Sequence, residues 1–417
     1  MLADTEDLVG RFVAICRIGD QWRIFNDACA TRTVYFAEDR PAIASHSTIL
    51  GDLTGEQPRV DLFRHYWCAL PGNASPVAGV RVLPANFALD PESRRLWRYW
   101  PRAERHERPV SALLEEADWL FVRTAEATAT RWKPAISVTA GLDSRLTLAV
   151  YRQMPGIVAF TYCRGPQHRV DAEVARQVCD RLGIEHRRLP PVERSEAESI
   201  YRLMESMPDC PFAPAISAIY WKAFEHDSHI HVRSNLAEIG RAFWRAHPDM
   251  PTAIDPENWV AVSLSRSTRS LPLRREAADY LRKEMTRFFA TVGYDISNPY
   301  SATIRGYDVW DLVYMEHRMA TWHGPALLGS DMAFDTAILF NSRRVLDLLL
   351  AAPLADRKNA TLLRAILAAR CPEIADIPIN PRPRRTVGQL FAGACRQTMR
   401  RAKVLRSIEQ RLRSRRA

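Results

Sequence analysis

The 417-residue sequence lacks any uninterrupted apolar run near the ~20 residues that cross a bilayer. The longest candidate, 345–355, is broken by Asp347 and Pro353. A membrane-spanning helix is therefore excluded as a reading. Paired cysteines are lacking too. The eight, at positions 16, 29, 68, 163, 179, 210, 371 and 395, show no CxxC spacing. That argues against a zinc site and against a disulfide framework, and a reducing cytoplasm fits best. The first residues, Met1-Leu2-Ala3-Asp4-Thr5-Glu6-Asp7, are acidic and do not read as a signal peptide. No internal repeat and no low-complexity tract is present. Acids are scarce at the far end: from 395 to 417 nine Arg or Lys stand against Glu409, a balance of +8 out of the chain's +10. A basic amphipathic tail of this kind suits nucleic acid or an anionic surface, while its plain reading is a solvated terminal helix.

What is present is ordinary globular material, 47% hydrophobic and 25% charged, long enough for two or three domains. One stretch organises the rest: Ile136-Ser137-Val138-Thr139-Ala140-Gly141-Leu142-Asp143-Ser144-Arg145. It reads as a buried strand, a small-residue turn and a helix start. Ala140-Gly141 lets the backbone approach a ligand. Asp143 and Ser144 are helix-start residues, and Leu146, Leu148, Ala149 and Val150 continue a helix. A helix start directly after a strand exposes free N–H groups at the positive end of a dipole, which suits phosphate. The hydroxyls of Ser137, Thr139 and Ser144 add donors. The plain alternative is an ordinary strand-to-helix turn.

Thr139-Ala140-Gly141-Leu142-Asp143-Ser144 resembles the Ser-Gly-Gly-x-Asp-Ser pyrophosphate loop of the ATP pyrophosphatases. Leu142 and Arg145 bring it nearest to the asparagine synthetase branch. Thr139 stands at the family's first Ser and Ala140 at its first Gly. The resemblance implies that ATP binds across Ser137, Thr139, Ala140, Gly141, Leu142, Asp143, Ser144 and Arg145.

The first hundred residues read as short β segments: 10–16, 22–27, 33–36 and 41–45, with turns at Gly19-Asp20 and 26–31. Asn26-Asp27-Ala28-Cys29-Ala30-Thr31-Arg32-Thr33-Val34-Tyr35-Phe36 is similar to the Asp-x-x-Gly-x-Arg-x-x-Tyr-Tyr of the glutamine amidotransferase domain of asparagine synthetases. That family's glutaminase uses an N-terminal cysteine and its free amine. Position 2 here is Leu2, so the domain is expected not to hydrolyse glutamine. It is either a vestigial scaffold or the product of a misassigned gene start. Residues 58–70 place Val60, Leu62, Phe63, Tyr66, Trp67 and Leu70 on one helical face. Segments 79–89 and 96–100 read as a hairpin-like pair, with Asn86 at a family glycine; Asn tolerates left-handed geometry.

A charged linker at 101–109 is the expected boundary. After a long helix at 109–130, strands at 135–139, 157–162 and 185–189 alternate with helices at 143–154 and 170–183. That pattern implies a parallel sheet with ligands outside its carboxyl ends. From about 192 the pattern is helical, with one more strand at 230–233. Tyr162 ends a strand and resembles the family's adenine pocket. Asp171 opens the family's Asp/Glu-x-x-x-Ala helix, or is merely a helix-start acid. Ser234-Asn235-Leu236-Ala237-Glu238-Ile239-Gly240-Arg241 resembles the family's Ser-Gly-x-Gly-x-Asp-Glu segment. Glu238 keeps the glutamate, while the aspartate position is Ala237. Helix 314–322 resembles the family helix near the acceptor pocket. At the family's catalytic lysine stands Ala360, with Lys358 close by.

The fold class expected is α/β: a parallel-sheet ATP-pyrophosphatase domain (adenine nucleotide α-hydrolase-like) with a helical C-terminal part, over 109–394. A smaller antiparallel, β-rich Ntn-hydrolase-like domain precedes it over 1–108, and a basic tail follows at 395–417. The resemblance implies an ATP-dependent, amide-forming ligase with ATP and Mg2+ as cofactors. Glu238, Lys358 and Arg241 would be catalytic, and Asp143 and Glu238 would hold the metal. Its partners would be a small-molecule or peptide carboxylate and an amine or ammonia donor. Self-association as a homodimer is allowed and nucleic acid is disfavoured. Two alternatives stand beside it: a non-catalytic scaffold, suggested by Ala140, Ala237 and Ala360, and a tRNA-modifying ATP pyrophosphatase, suggested by the tail.

Overall fold

The computed structural model describes residues 6–66, 69–165, 168–206, 209, 214–246, 253–263, 271–295, 297 and 303–381. Trp67, Cys68, Cys210 and the basic tail lie outside them. Residues through Ile379 belong to one compact unit, and of the other, Asn380–Ala417, only Asn380 and Pro381 are described.

The N-terminal part is antiparallel β. Strands β1 (Val13–Ile18) and β2 (Gln21–Asn26) form a hairpin closed at Gly19. β3 (Tyr35–Ala37), β4 (Ile43–Ala44) and β5 (Val80–Val82) make a three-stranded sheet in the order β4-β3-β5. β6 (Phe87–Leu89) and β7 (Leu96–Arg98) complete a four-stranded sheet, β1-β2-β6-β7. Two backbone positions carry this region. The Asp27 carboxylate accepts from the N–H groups of Cys29, Thr31 and Arg32 at 3.2, 2.9 and 2.8 Å. Those three bonds close a buried loop in which Ala30 takes φ +53°. Asn86 takes φ +67° between β5 and β6, the left-handed geometry expected of it.

The helix expected over 58–70 is instead a single 3-10 turn, Val60–Arg64. Its apolar pattern reports burial only in part: Leu62, Phe63, Tyr66 and Leu70 are in the core, whereas Val60 is exposed because the tighter turn rotates it away from the face a full helix would give it.

A long helix, Val110–Ala129, leads into a five-stranded sheet. β8 (Lys133–Ser137), β9 (Val158–Tyr162), β10 (His186–Leu189), β11 (His229–Arg233) and β14 (Thr336–Ile338) pair in the order β10-β9-β8-β11-β14. Every pairing is parallel, with Ile136 opposite Val232 and Ser137 opposite Phe160. β12 (Thr303–Ile304) and β13 (Tyr307–Asp308) form a small hairpin between β11 and β14. The reading of one strand after residue 192 therefore falls short. β14 is three residues long and carries no alternation to reveal it.

The chain builds β8, β9 and β10 outward on one side, then returns to place β11 on the other. The reversal of strand order lies between β8 and β11, and the carboxyl ends of such a pair are where open parallel sheets take their ligands.

Both sheet regions share one hydrophobic core, which runs from Phe25 and Leu89 through Phe121 and Leu146 to Phe340. Phe121 packs edge-on to Phe340, with centroids 5.1 Å apart. Polar ties cross the same contact. Asp331 accepts two bonds from Arg11, at 2.6 and 2.7 Å, and one from Arg32, at 2.6 Å. Glu316, fully buried, accepts from Arg98 at 2.9 Å, Asn86 at 3.0 Å and Tyr294 at 2.5 Å. Among the described residues no helix is long and apolar enough to cross a membrane. Cys16, Cys29, Cys163, Cys179 and Cys371 are free thiols.

Candidate active site

The Thr139 loop follows β8 directly, and a helix, Leu142–Tyr151, follows the loop. Ala135, Ile136 and Val138 are fully buried, which anchors the strand end. Thr161 adds a clamp, its hydroxyl donating to the Val138 carbonyl at 2.7 Å. From sequence Thr161 is recognisable only as part of the strand end Thr161-Tyr162-Cys163; its clamp on Val138 is not, because a threonine inside a strand looks like any β former.

The loop satisfies much of its own backbone. Thr139 N–H donates to Ser144 Oγ at 3.0 Å and Gly141 N–H to Thr139 Oγ1 at 3.1 Å. Ala140 N–H donates to Asp171 Oδ1 at 2.9 Å. Asp171, at the start of the helix Arg169–Leu182, thus caps the loop with its own carboxylate. Behind the loop the Leu142–Tyr151 helix starts without a capping side chain, so its first-turn N–H groups have no side-chain acceptor from the N-cap at the carboxyl end of β8.

The second loop follows β11. Leu236, fully buried, takes φ +77°, an unusual conformation for a bulky residue that stores about 1–3 kcal/mol. It starts a single helical turn, Ala237–Gly240, that carries Glu238. Arg357 braces this turn from behind. Its Nη2 donates to the Ile239 carbonyl at 2.9 Å and to Asp311 Oδ1 at 2.8 Å, all of it buried. Arg357 was not singled out from the sequence, since Asp311 lies 46 residues away.

The two loops meet where the strand order reverses. Arg241 Nη2 donates to Asp143 Oδ2 at 2.7 Å, and Asp143 Oδ1 is buried without a partner. Burial pushes the Asp143 carboxyl above its ordinary pKa, against the pull of Arg241. Glu238 Oε1 accepts from the Tyr314 hydroxyl at 3.1 Å. Burial first, and then the charge of Asp143, raise the Glu238 carboxyl to about 7. Asp143, Glu238 and Arg241 are therefore brought together, with Tyr314 as a fourth member.

Other expected residues are placed differently. Ser137 ends β8 and Leu142 is buried in the core. The Arg145 guanidinium is also buried and donates to the carbonyls of Ile377 and Pro378 at 2.7 and 2.5 Å. It ties the helix to the end of the compact unit, and those two donors are not turned to the loop. Tyr162 ends β9 with its ring edge-on to Phe160, and its buried hydroxyl has no partner. Burial pushes that hydroxyl to about 12. Lys358 is exposed, and Ala360, at φ +55°, starts the next helix.

Among the described residues no group of three or more His, Cys, Asp or Glu is arranged to hold a metal. A magnesium ion needs less protein than that when phosphates supply ligands. The orphaned Asp143 Oδ1 and the Glu238 carboxylate suit such a role.

Two cavities matter for comparison. One of about 280 Å³ adjoins Tyr314 and is lined mainly by aromatic side chains. A larger one, about 430 Å³, lies between Glu6, Arg105, Arg344 and Asp347. Its charges pair with one another, as in Arg344–Asp7 at 3.1 Å and Arg108–Glu116 at 3.0 Å.

A comparison of the chain with protein-family models and with curated proteins finds no match.

Proposed function

We propose that the chain is an asparagine synthetase-like, ATP-dependent ligase that forms an amide bond. One observation carries the reading. Two loops flank the strand-order reversal of a parallel sheet, and Asp143, Arg241 and Glu238 converge there. ATP would lie with its phosphates at the start of the Leu142–Tyr151 helix. A substrate carboxylate attacks the α-phosphorus, the α–β bridge breaks, and pyrophosphate leaves. An amine then displaces AMP from the acyl-adenylate. Magnesium, held by Asp143 Oδ1 and Glu238 together with phosphate oxygens, would neutralise the departing pyrophosphate. Arg241 supplies a fixed positive charge beside the same carboxylate. No lysine stands at position 360, so Arg241 is the cation assigned to the developing charge.

Acid-dependent exchange of labelled pyrophosphate into ATP tests this. Exchange should appear with the correct acid, and Asp143→Ala should reduce it at least a hundredfold. Exchange that persists unchanged in Asp143→Ala removes the site from the proposal.

A second reading, a non-catalytic scaffold, is favoured by the internal bonding of the Thr139, Ala140 and Gly141 N–H groups. It expects no exchange with any acid and no thermal stabilisation by ATP with magnesium.

A further inference from the structure

We infer that Arg233, Tyr162, Ser234 and His323 form a second anion subsite at the carboxyl end of the parallel sheet, one that takes a phosphate group as its dianion. The inference goes beyond the ligase reading and does not depend on it. It needs the sheet end and its charges, and no turnover of ATP.

Strand register places the group. β11 runs beside β8 with Val232 opposite Ile136, so Arg233 ends its strand level with Ser137, just before the Thr139 loop leaves β8. Tyr162 ends β9 on the other flank of β8. Arg233 shares a sheet face with His231, and Tyr162 shares one with Phe160, each pair two residues apart. The two faces are the same, because His231 meets the Phe160 ring edge-on at 5.1 Å and stacks on Tyr220 at 4.9 Å and 17°. Tyr162 and Tyr220 both act electrostatically on Arg233.

The charge of Arg233 is unmatched. Its Nε is buried without a partner, and among the described residues no carboxylate pairs with its guanidinium. The residue keeps partial exposure, so a ligand can reach it. Burial lowers the pKa of the guanidinium, Tyr162 opposes that shift and Arg11 adds to it, yet arginine stays ionised. The acid that acts on it, Asp331, already accepts from Arg11 and Arg32. Three guanidinium groups thus stand against one carboxylate, an excess of two positive charges.

Orphaned donors surround that charge. The Tyr162 hydroxyl, Ser234 Oγ and both ring nitrogens of His323 are buried with no partner. Burial pushes the Tyr162 hydroxyl to about 12, so it keeps its proton at pH 8. His323, 2% exposed, is held neutral by burial first and then by the charges of Arg233, Arg11 and Arg318. Two hydroxyls and one imidazole N–H therefore have nothing to donate to. A desolvated cation without a counter-charge and a buried donor without an acceptor both cost stability, and an oxyanion relieves both. Phosphate fits better than carboxylate on two counts. Near its dianion state it matches the excess of two charges. Its terminal oxygens can accept the guanidinium fork and still serve the separate donors, whereas the fork engages both oxygens of a carboxylate.

The test is calorimetric titration of the full chain at pH 8 and fixed ionic strength, without nucleotide or magnesium. The probes are inorganic phosphate, glycerol 3-phosphate and acetate. At least one of the two phosphates should bind saturably, tenfold or more tighter than acetate. Arg233→Met should weaken that binding at least tenfold and Tyr162→Phe at least threefold, with thermal melting used to confirm folding. Tighter binding of glycerol 3-phosphate identifies the ligand as a phosphate monoester, and tighter binding of inorganic phosphate identifies the free ion; either supports the subsite. Acetate bound as tightly as phosphate overturns the inference. Phosphate bound equally by the parent and both variants also overturns it, and places the anion elsewhere. If Arg233→Met does not fold, Arg233→Lys takes its place: it keeps the charge, loses the fork and should weaken phosphate binding at least threefold.

Discussion

The raised pKa of Glu238 makes the stability of the protein depend on pH in a direction opposite to that of most carboxylates. In the unfolded chain the group titrates near 4.5, and in the fold near 7. Below 4.5 both states hold the proton and the group contributes nothing. Between 4.5 and 7 the unfolded chain ionises while the fold keeps its proton, so stability falls as pH rises. Above 7 the full penalty is present. At 1.36 kcal/mol per pH unit the interval amounts to ~3 kcal/mol, and screening of this partly buried group reduces it to about 2 kcal/mol. Glu238→Gln removes the charge and keeps an oxygen to accept from the Tyr314 hydroxyl. The variant should match the parent at pH 4.5 and melt about 2–3 °C higher at pH 8.5. Thermal unfolding followed by circular dichroism at half-unit steps between pH 4 and 9 measures this. A difference in melting temperature that stays flat across that range, or a variant less stable at pH 8.5, refutes the reasoning. The same titration bears on the metal. On the proposed reading magnesium needs the ionised carboxylate, so magnesium-dependent ATP binding should strengthen up to pH 7 and level off above it.

Three further substitutions probe the frame and the loop. Glu316→Ala leaves Arg98 buried without its counter-charge and should destabilise by about 3–5 kcal/mol, read from urea unfolding. Gly324→Ala places a Cβ 2.6 Å from the Ala30 carbonyl oxygen and 2.9 Å from Thr33 Oγ1, which should cost about 1–3 kcal/mol in the same assay. Asp171→Asn keeps an acceptor for the Ala140 N–H but removes a negative charge from the loop. Inorganic pyrophosphate should bind on the order of tenfold tighter by calorimetry, and unchanged or weaker binding removes Asp171 from the anion's surroundings.

Much of the frame was legible because the signals are local. The alternation of strands and helices from 133 to 189 foretells the parallel sheet. Small residues between β8 and the following helix foretell the turn at Thr139, and Asn86 sits in the left-handed geometry its side chain tolerates. What was not legible depends on partners distant in sequence. Glu316 draws on Arg98, 218 residues away, and nothing in the 314–322 segment announces that its acid is fully buried. Arg145 was grouped with the ATP-binding residues because, with Leu142, it gives the loop its resemblance to the asparagine synthetase branch. Its partners, the carbonyls of Ile377 and Pro378, lie more than two hundred residues on. Asp171 offered two readings from sequence, and the structure gives a third, a cap on the loop itself.

On the proposed reading, Ala237 stands where the asparagine synthetase segment carries a carboxylate, and the arrangement around it accounts for the difference. Ala237 is fully buried against apolar neighbours, where an aspartate would carry an unpaired charge at a cost of several kcal/mol. Arg241, one turn further on, reaches back to Asp143 instead. On the proposed reading this replaces an attraction mediated by a metal ion with one built into the chain. A fixed guanidinium lowers the negative charge that the triphosphate meets, and it also competes with magnesium for Asp143. The site should therefore be less dependent on magnesium than one with two free carboxylates. Asp143 Oδ1, which has no partner, is the atom through which the remaining dependence acts.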